Sequence, residues 1–122
     1  MNNLTFTIRS LTLIVFSLVF SSIAEAQVPR TFVSVLGSDN FSCNTPILPC
    51  RNIQAAITKV QAGGEVVIVT SGSYQPFAVN KAVTVLAEPG VHVGINATSG
   101  NGITINAAAA DVVVLLGLTL NG

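Results

Sequence analysis

Charge is scarce in this 122-residue sequence: five Lys or Arg stand against five Asp or Glu, with a single His. Trp is absent, Tyr and Met occur once each, and there are two cysteines. A nucleic-acid-binding surface needs clustered Lys and Arg to displace counterions, and no such cluster exists. A polybasic stretch that would hold an anionic membrane is missing too. A structural zinc ion wants four ligands, whereas the chain offers Cys43, Cys50 and the distant His92. Calcium needs about six or more oxygen ligands including several carboxylates. After residue 64 the acids are only Glu65, Glu88 and Asp111, each isolated, with no Asp-Asp or Asp-x-Asp. No catalytic, cofactor-binding or metal-ligating residue is therefore expected. The length suits one domain.

Long apolar runs are confined to the start. Arg9 supplies a positive n-region, Leu11 to Ile23 an apolar h-region, and Ala24-Glu25-Ala26 a small-x-small cleavage signal. Residues 1–26 read as a secretory signal peptide cut between Ala26 and Gln27. The run is shorter than a comfortable bilayer crossing, so an uncleaved anchor is the lesser reading. No cysteine follows it to carry a lipid. The expected location is secreted, periplasmic or cell surface, with no integral membrane part after cleavage. What remains stays neutral: Arg30, Arg51, Lys59 and Lys81 against Asp39, Glu65, Glu88 and Asp111.

Residues 27–50 form an N-terminal segment in which Cys43 and Cys50 flank Asn-Thr-Pro-Ile-Leu-Pro. In an exported chain an even cysteine pair across a short Pro-containing loop predicts a disulfide. Closing so small a ring is worth roughly 2–3 kcal/mol by chain entropy. A redox pair would more typically be Cys-x-x-Cys.

Residues 51–122 change character midway. Ile53, Ala56, Ile57 and Val60 fall at helical spacing, with Asn52 as N-cap, Lys59 near the negative end of the dipole, and Gly63-Gly64 as the stop. About three turns are predicted, with one apolar face to cover a core. Beyond Gly64 short β-branched runs take over: residues 65–69, 77–79, 82–87, 91–95, 102–105 and 112–120. Turn-forming residues separate most of them, including Thr70-Ser71-Gly72-Ser73 and Glu88-Pro89-Gly90. Ala82-Val-Thr-Val-Leu86, Gly102-Ile-Thr-Ile-Asn106 and Gly117-Leu-Thr-Leu-Asn121 share one frame. It places Val83, Val85, Ile103, Ile105, Leu118 and Leu120 on one face and Thr84, Thr104 and Thr119 on the other. Asn80, Asn96, Asn106 and Asn121 each end an apolar run, where a left-handed conformation or a bond to their own backbone suits a corner. The pattern fits a sandwich or a parallel solenoid. The offset from Ala82 to Gly102 suits one coil of a solenoid; that from Gly102 to Gly117 does not.

The stretch Cys50-Arg-Asn-Ile-Gln-Ala-Ala-Ile57, then Ala62-Gly-Gly-Glu-Val-Val-Ile-Val69, then Ser71-Gly-Ser-Tyr74 resembles the N-terminal cap and first strand of the pectin-lyase-like superfamily of right-handed parallel β-helices. That group commonly shows an Ile-Gln-x-Ala-Ile helix, a Gly-Gly, a Val-rich strand and a Pro-Gly-x-Tyr turn; Ser71 stands where the Pro is usual. The similarity runs from about Phe32 onward, its specific motifs in the middle. It implies an all-β, right-handed parallel β-helix with a short N-terminal capping α-helix that hides the first strand edges. Because solenoids need capping at both ends, the apolar Leu116 to Leu120 leads to the expectation of further coils beyond Gly122, or of a partner there.

The superfamily's lyases pair calcium-binding Asp with an Arg or Lys base, and its hydrolases use Asp pairs. Neither pattern maps onto this chain, and fold alone does not fix function. His92 reads as a surface strand position, Asp111 as a turn residue, Tyr74 as packing beside a turn, and Asp39 as a loop acid. Asn40-Phe-Ser and Asn96-Ala-Thr are formal glycosylation sequons. The reading that emerges is an exported, non-catalytic module acting as a surface or carbohydrate-contacting scaffold, with a polysaccharide or cell-surface glycan as partner. The alternatives are the N-terminal part of a polysaccharide lyase or glycoside hydrolase, and an autotransporter or adhesin passenger segment.

Overall fold

The computed structural model describes residues 28–122; the signal peptide expected over residues 1–26 and its expected Ala26–Gln27 junction lie outside them. Nine strands and one short helix follow in the order β1 (Val28–Val33), α1 (Ile53–Lys59), β2 (Val60–Ile68), β3 (Gly72–Tyr74), β4 (Phe77–Val79), β5 (Val83–Ala87), β6 (Val93–Asn96), β7 (Ile103–Ile105), β8 (Val113–Leu116) and β9 (Leu118–Asn121). The strands form three sheets of order β1-β2-β5-β8, β3-β6-β9 and β4-β7. Every strand pair is parallel. From β2 onward the chain visits the three sheets in strict rotation, adding one strand to each in turn. The fold is thus all-β, with parallel sheets and little helix.

Parallel register stacks like positions into columns. Thr31, Val66, Val85 and Leu115 lie in one column of the first sheet, Tyr74, Ile95 and Leu120 in one of the second, and Val79 with Ile105 in the third. Of these, Val66, Val85, Tyr74, Ile95 and Val79 meet in a common core with Val33, Ile68, Phe77, Val83 and Val93, with Leu115 packed against it, whereas Ile105 and Leu120 are exposed. Each fully buried Val or Ile contributes about 2 kcal/mol of hydrophobic stabilisation relative to exposure. The buried Thr31 hydroxyl donates to the Ala56 carbonyl at 3.1 Å, as a polar group out of water must.

Helix α1 lays Ile53, Ala56 and Ile57 on this core and packs on β1, β2 and β4. It is shorter than the sequence pattern predicts. Val60 is already extended (φ −78°, ψ 145°) and begins β2, because a buried β-branched residue there pairs with Val28 in the first sheet. Gly63 and Gly64 do not end the helix; they belong to an irregularity in β2. The β1–β2 register jumps from Val28↔Val60 to Arg30↔Glu65. Gly63 takes φ +78° there, and a Cβ on Gly64 would come within 2.6 Å of the Val60 side chain and 2.7 Å of the Pro29 carbonyl oxygen. Asn52 makes no side-chain cap to the helix.

Two further expectations change. Gly72-Ser73, read as turn, lies in β3, and the run 112–120 splits at Gly117, whose φ is +73°, into strands of two different sheets. The three-fold Thr-centred frame is not a repeat along one column: β5, β7 and β9 belong to three different sheets. Short parallel strands on every side of one core select the same apolar-Thr-apolar pattern, so the pattern reports strand geometry, not a coil period. In the first sheet Val66, Val85 and Leu115 occupy equivalent positions, and their spacing shows the second circuit to be longer than the first.

Candidate functional site

The N-terminal end of the three sheets is closed by residues from one continuous segment, 43–54. Along the outer edge of β1, the Phe32 N–H donates to the Cys43 carbonyl, the Cys50 N–H to the Phe32 carbonyl, and the Ser34 N–H to the Cys50 carbonyl, at 2.8–2.9 Å. Gln54 covers the edge of β4: its Oε1 accepts from the Ala78 N–H at 2.8 Å and its Nε2 donates to the Ala78 carbonyl at 3.2 Å. Arg51 lies over β3, its guanidinium 5.6 Å from the centre of the Tyr74 ring, with Nη2 donating to the Ser73 carbonyl at 3.5 Å.

The predicted disulfide is present: Cys43 and Cys50 are bonded, with Cα atoms 5.1 Å apart, and both are fully buried. Cys43 takes a left-handed φ of 62°, unfavourable for a residue with a Cβ, and the bridge together with the β1 hydrogen bonds holds it there. Asp39 is more than a loop acid. Its Oδ1 accepts from the Arg51 and Asn52 backbone N–H groups, each at 2.9 Å, and its Oδ2 from the Asn52 side chain at 2.7 Å. Burial by itself pushes the Asp39 carboxyl up, but the hydrogen bonds from Asn52 and Arg51 and the Lys59 charge together hold it below the usual value. Lys59 ties the same loop from the helix side, donating to the Asp39 and Phe41 carbonyls. Lys81 donates to the Val60 carbonyl at 2.6 Å, and burial depresses its pKa.

Tyr74 packs as the sequence predicts and is buried. Its hydroxyl donates to the Thr70 carbonyl at 2.7 Å and lies 2.9 Å from the Thr70 hydroxyl. That hydroxyl in turn reaches Ser34 Oγ and accepts from the Val35 N–H. His92 is exposed immediately before β6, and Asp111 accepts from the Ala108 N–H within its own turn.

Beside Tyr74 a groove of about 300 Å³ opens, lined by Arg51, Ser73, Gln75, Pro76, Asn96, Thr98 and Ser99 as well as Tyr74 itself. No carboxylate, imidazole or thiol lines it. Asn96 donates to Ser73 Oγ at 2.9 Å, and Asn121 donates to Asn96 Oδ1 at 3.2 Å. The corner explanation for these asparagines does not hold. Cys43 is the one non-glycine residue with positive φ among the described residues; Asn96 and Asn121 instead pair in register and link side chains from strand to strand. Arg51, like Gln75, Pro76 and Ser99, lines the groove without a role legible in the sequence. The Arg51 Nη1 is buried and makes no hydrogen bond to another described protein group.

Among the described residues no three His, Cys, Asp or Glu side chains come together as a metal site, and no helix is long and apolar enough to cross a membrane. No protein-family model matches the chain. No curated protein and no solved structure matches it either.

Proposed function

We propose that the protein is an exported right-handed parallel β-helix module of the pectin-lyase-like kind, and that it contacts a glycan through the groove between Arg51 and Asn96 without transforming it. The strict rotation of strands among three parallel sheets supports the coil, and the strong preference of parallel crossovers for one hand supports its being right-handed. The Cys43–Cys50 bridge supports export, since structural disulfides persist in oxidising compartments.

The observation that carries the binding role is the groove's chemistry. Hydroxyl and amide groups from Ser73, Asn96, Thr98 and Ser99 stand beside a guanidinium stacked on an aromatic ring. Such a surface suits the hydroxyl-rich edge of a sugar. General acid–base hydrolysis needs a positioned pair of carboxyls, which the lining does not include.

The test is binding of the disulfide-intact protein to an array of neutral and acidic polysaccharides, followed by calorimetry on the best of them. Arg51→Ala and Asn96→Ala are each expected to weaken that binding about tenfold, the loss of roughly one good hydrogen bond to a charged or amide group. Absence of binding across the array, or release of reducing ends from any polysaccharide, overturns the reading. Expression of the full sequence in a secreting host is expected to yield a mature chain beginning at Gln27.

A further inference from the structure

Asparagine stands directly before glycine twice in the chain, at Asn101-Gly102 and Asn121-Gly122. That pair of residues carries chemistry of its own. The backbone nitrogen of the following residue can attack the Asn side-chain carbonyl carbon and close a cyclic imide. A side chain on that residue obstructs the approach, and glycine has none. The attack also needs backbone torsions that an extended strand does not supply, so local structure and its opening decide whether the pair reacts.

The two pairs sit in opposite surroundings. Asn121 closes β9 and pairs in register with Asn96. Its Nδ2 donates to Asn96 Oδ1 at 3.2 Å, and its carbonyl accepts from the Ala97 N–H at 3.0 Å. Asn101 is exposed, in the segment between β6 and β7. Gly100 before it takes a left-handed φ of +73°, with open space where a side chain would stand. Among the described residues no backbone carbonyl accepts from the Gly102 N–H, so the attacking nitrogen is not tied into a turn or a ladder.

We propose that Asn101 is a site of spontaneous deamidation in the folded protein. The Gly102 nitrogen gives its proton to solvent base and bonds to Asn101 Cγ. The Cγ–Nδ2 bond breaks, and the amide nitrogen takes up a proton from water and leaves as ammonia. Water then opens the imide. Breaking the bond to Cγ leaves aspartate in a normal backbone; breaking the bond to the main-chain carbonyl carbon leaves isoaspartate, whose chain runs through Cβ. Either product adds a carboxylate to residues 97–122, where Asp111 is the one charged residue. Isoaspartate also lengthens the backbone by a methylene directly before Gly102. The Gly102 carbonyl accepts from the Phe77 N–H at 3.1 Å where the β4–β7 pairing starts, and a Cβ on Gly102 would lie 3.0 Å from the Leu120 side chain. The start of β7 has little room to absorb the added atom, so the modification acts on the β4–β7 pair.

Ageing the disulfide-intact protein at mildly alkaline pH tests this, read by peptide mapping with mass spectrometry and by labelling with a protein isoaspartyl methyltransferase. Deamidation at Asn101 is expected to outrun that at Asn121 by at least about tenfold, because Asn121 must first leave its strand. In urea the two rates are expected to converge, since the local sequence is then all that acts. Asn101→Gln, whose longer side chain must close a larger ring, is expected to remove the modification. The isoaspartate form, separated from its parent by ion exchange, is expected to lose hydrogen-exchange protection at the Phe77 amide while the Ile68 amide keeps it. Equal rates at the two asparagines in the folded chain, an Asn101 that stays intact, a rate difference that persists in urea, or unchanged Phe77 protection in the isoaspartate form overturns the proposal.

Discussion

The side chain of Gln54 holds both the N–H and the carbonyl of Ala78, as a neighbouring strand would. Ala78 is the middle residue of β4, the first strand of its sheet. One helical glutamine thus substitutes for a missing strand, and the same helix buries Ile53, Ala56 and Ile57 on its inner side. Capping here combines apolar cover with edge hydrogen bonding in seven residues.

Gln54→Ala is expected to cost about 1 kcal/mol in urea unfolding, the net worth of such hydrogen bonds near the surface. The amide of Ala78 is expected to lose exchange protection while that of Ile68, within the paired first sheet, keeps it. Equal loss at both amides would show a global effect in place of an edge effect.

Replacing Cys43 and Cys50 together by Ser is expected to lower stability by roughly 2–3 kcal/mol, the chain-entropy value for a short ring. Release of the left-handed Cys43 offsets part of this in the variant. The measurement is the urea midpoint, compared with that of the wild type under oxidising and reducing conditions.

Asp39 gives the chain a specific acid sensitivity. Its carboxyl is held below the ordinary value in the folded chain, so its contribution is fully present above the unfolded aspartate pKa of about 3.9. That contribution is lost as the pH falls through the lower folded value. Asp39→Asn is expected to unfold with a shallower stability decline below about pH 4 than the wild type. Parallel declines in the two proteins would remove Asp39 from the cause.

Tyr74→Phe keeps the buried ring but removes the hydroxyl that joins the Thr70 carbonyl and side chain. A loss of about 1–2 kcal/mol is expected, because the part-buried Thr70 carbonyl then loses its donor, while the Thr70 hydroxyl keeps Ser34 and Val35. The Arg51 stack over the ring is retained, so the glycan binding proposed for the groove is expected to change less than in Arg51→Ala.

Much of the architecture was legible beforehand. The β-branched runs marked β2, β4, β5 and β7 to within a residue or so, apart from the start of β2, since alternation between core and solvent imposes itself locally. The disulfide was legible from two cysteines in a short loop. The helix end was misread because Gly63-Gly64 is a strong local stop signal, while the claim of the first sheet on Val60 is non-local. Asp39 was misread because its partners Arg51 and Asn52 lie across the disulfide loop. The groove could not be foreseen: Arg51, Ser73 and Asn96 come from three passes of the chain and share no sequence spacing.

By itself, the sequence determined that this is a charge-poor, β-rich domain with a stapled loop and a one-faced helix, because composition, periodicity and cysteine spacing act over a few residues. Only the tertiary structure decided which strands share a sheet, that Asn96 and Asn121 form a side-chain row, and that Arg51 borders a groove. Those relations depend on circuit lengths set by loops of unequal size, and parallel pairing brings together residues from different passes with no local mark of which will meet.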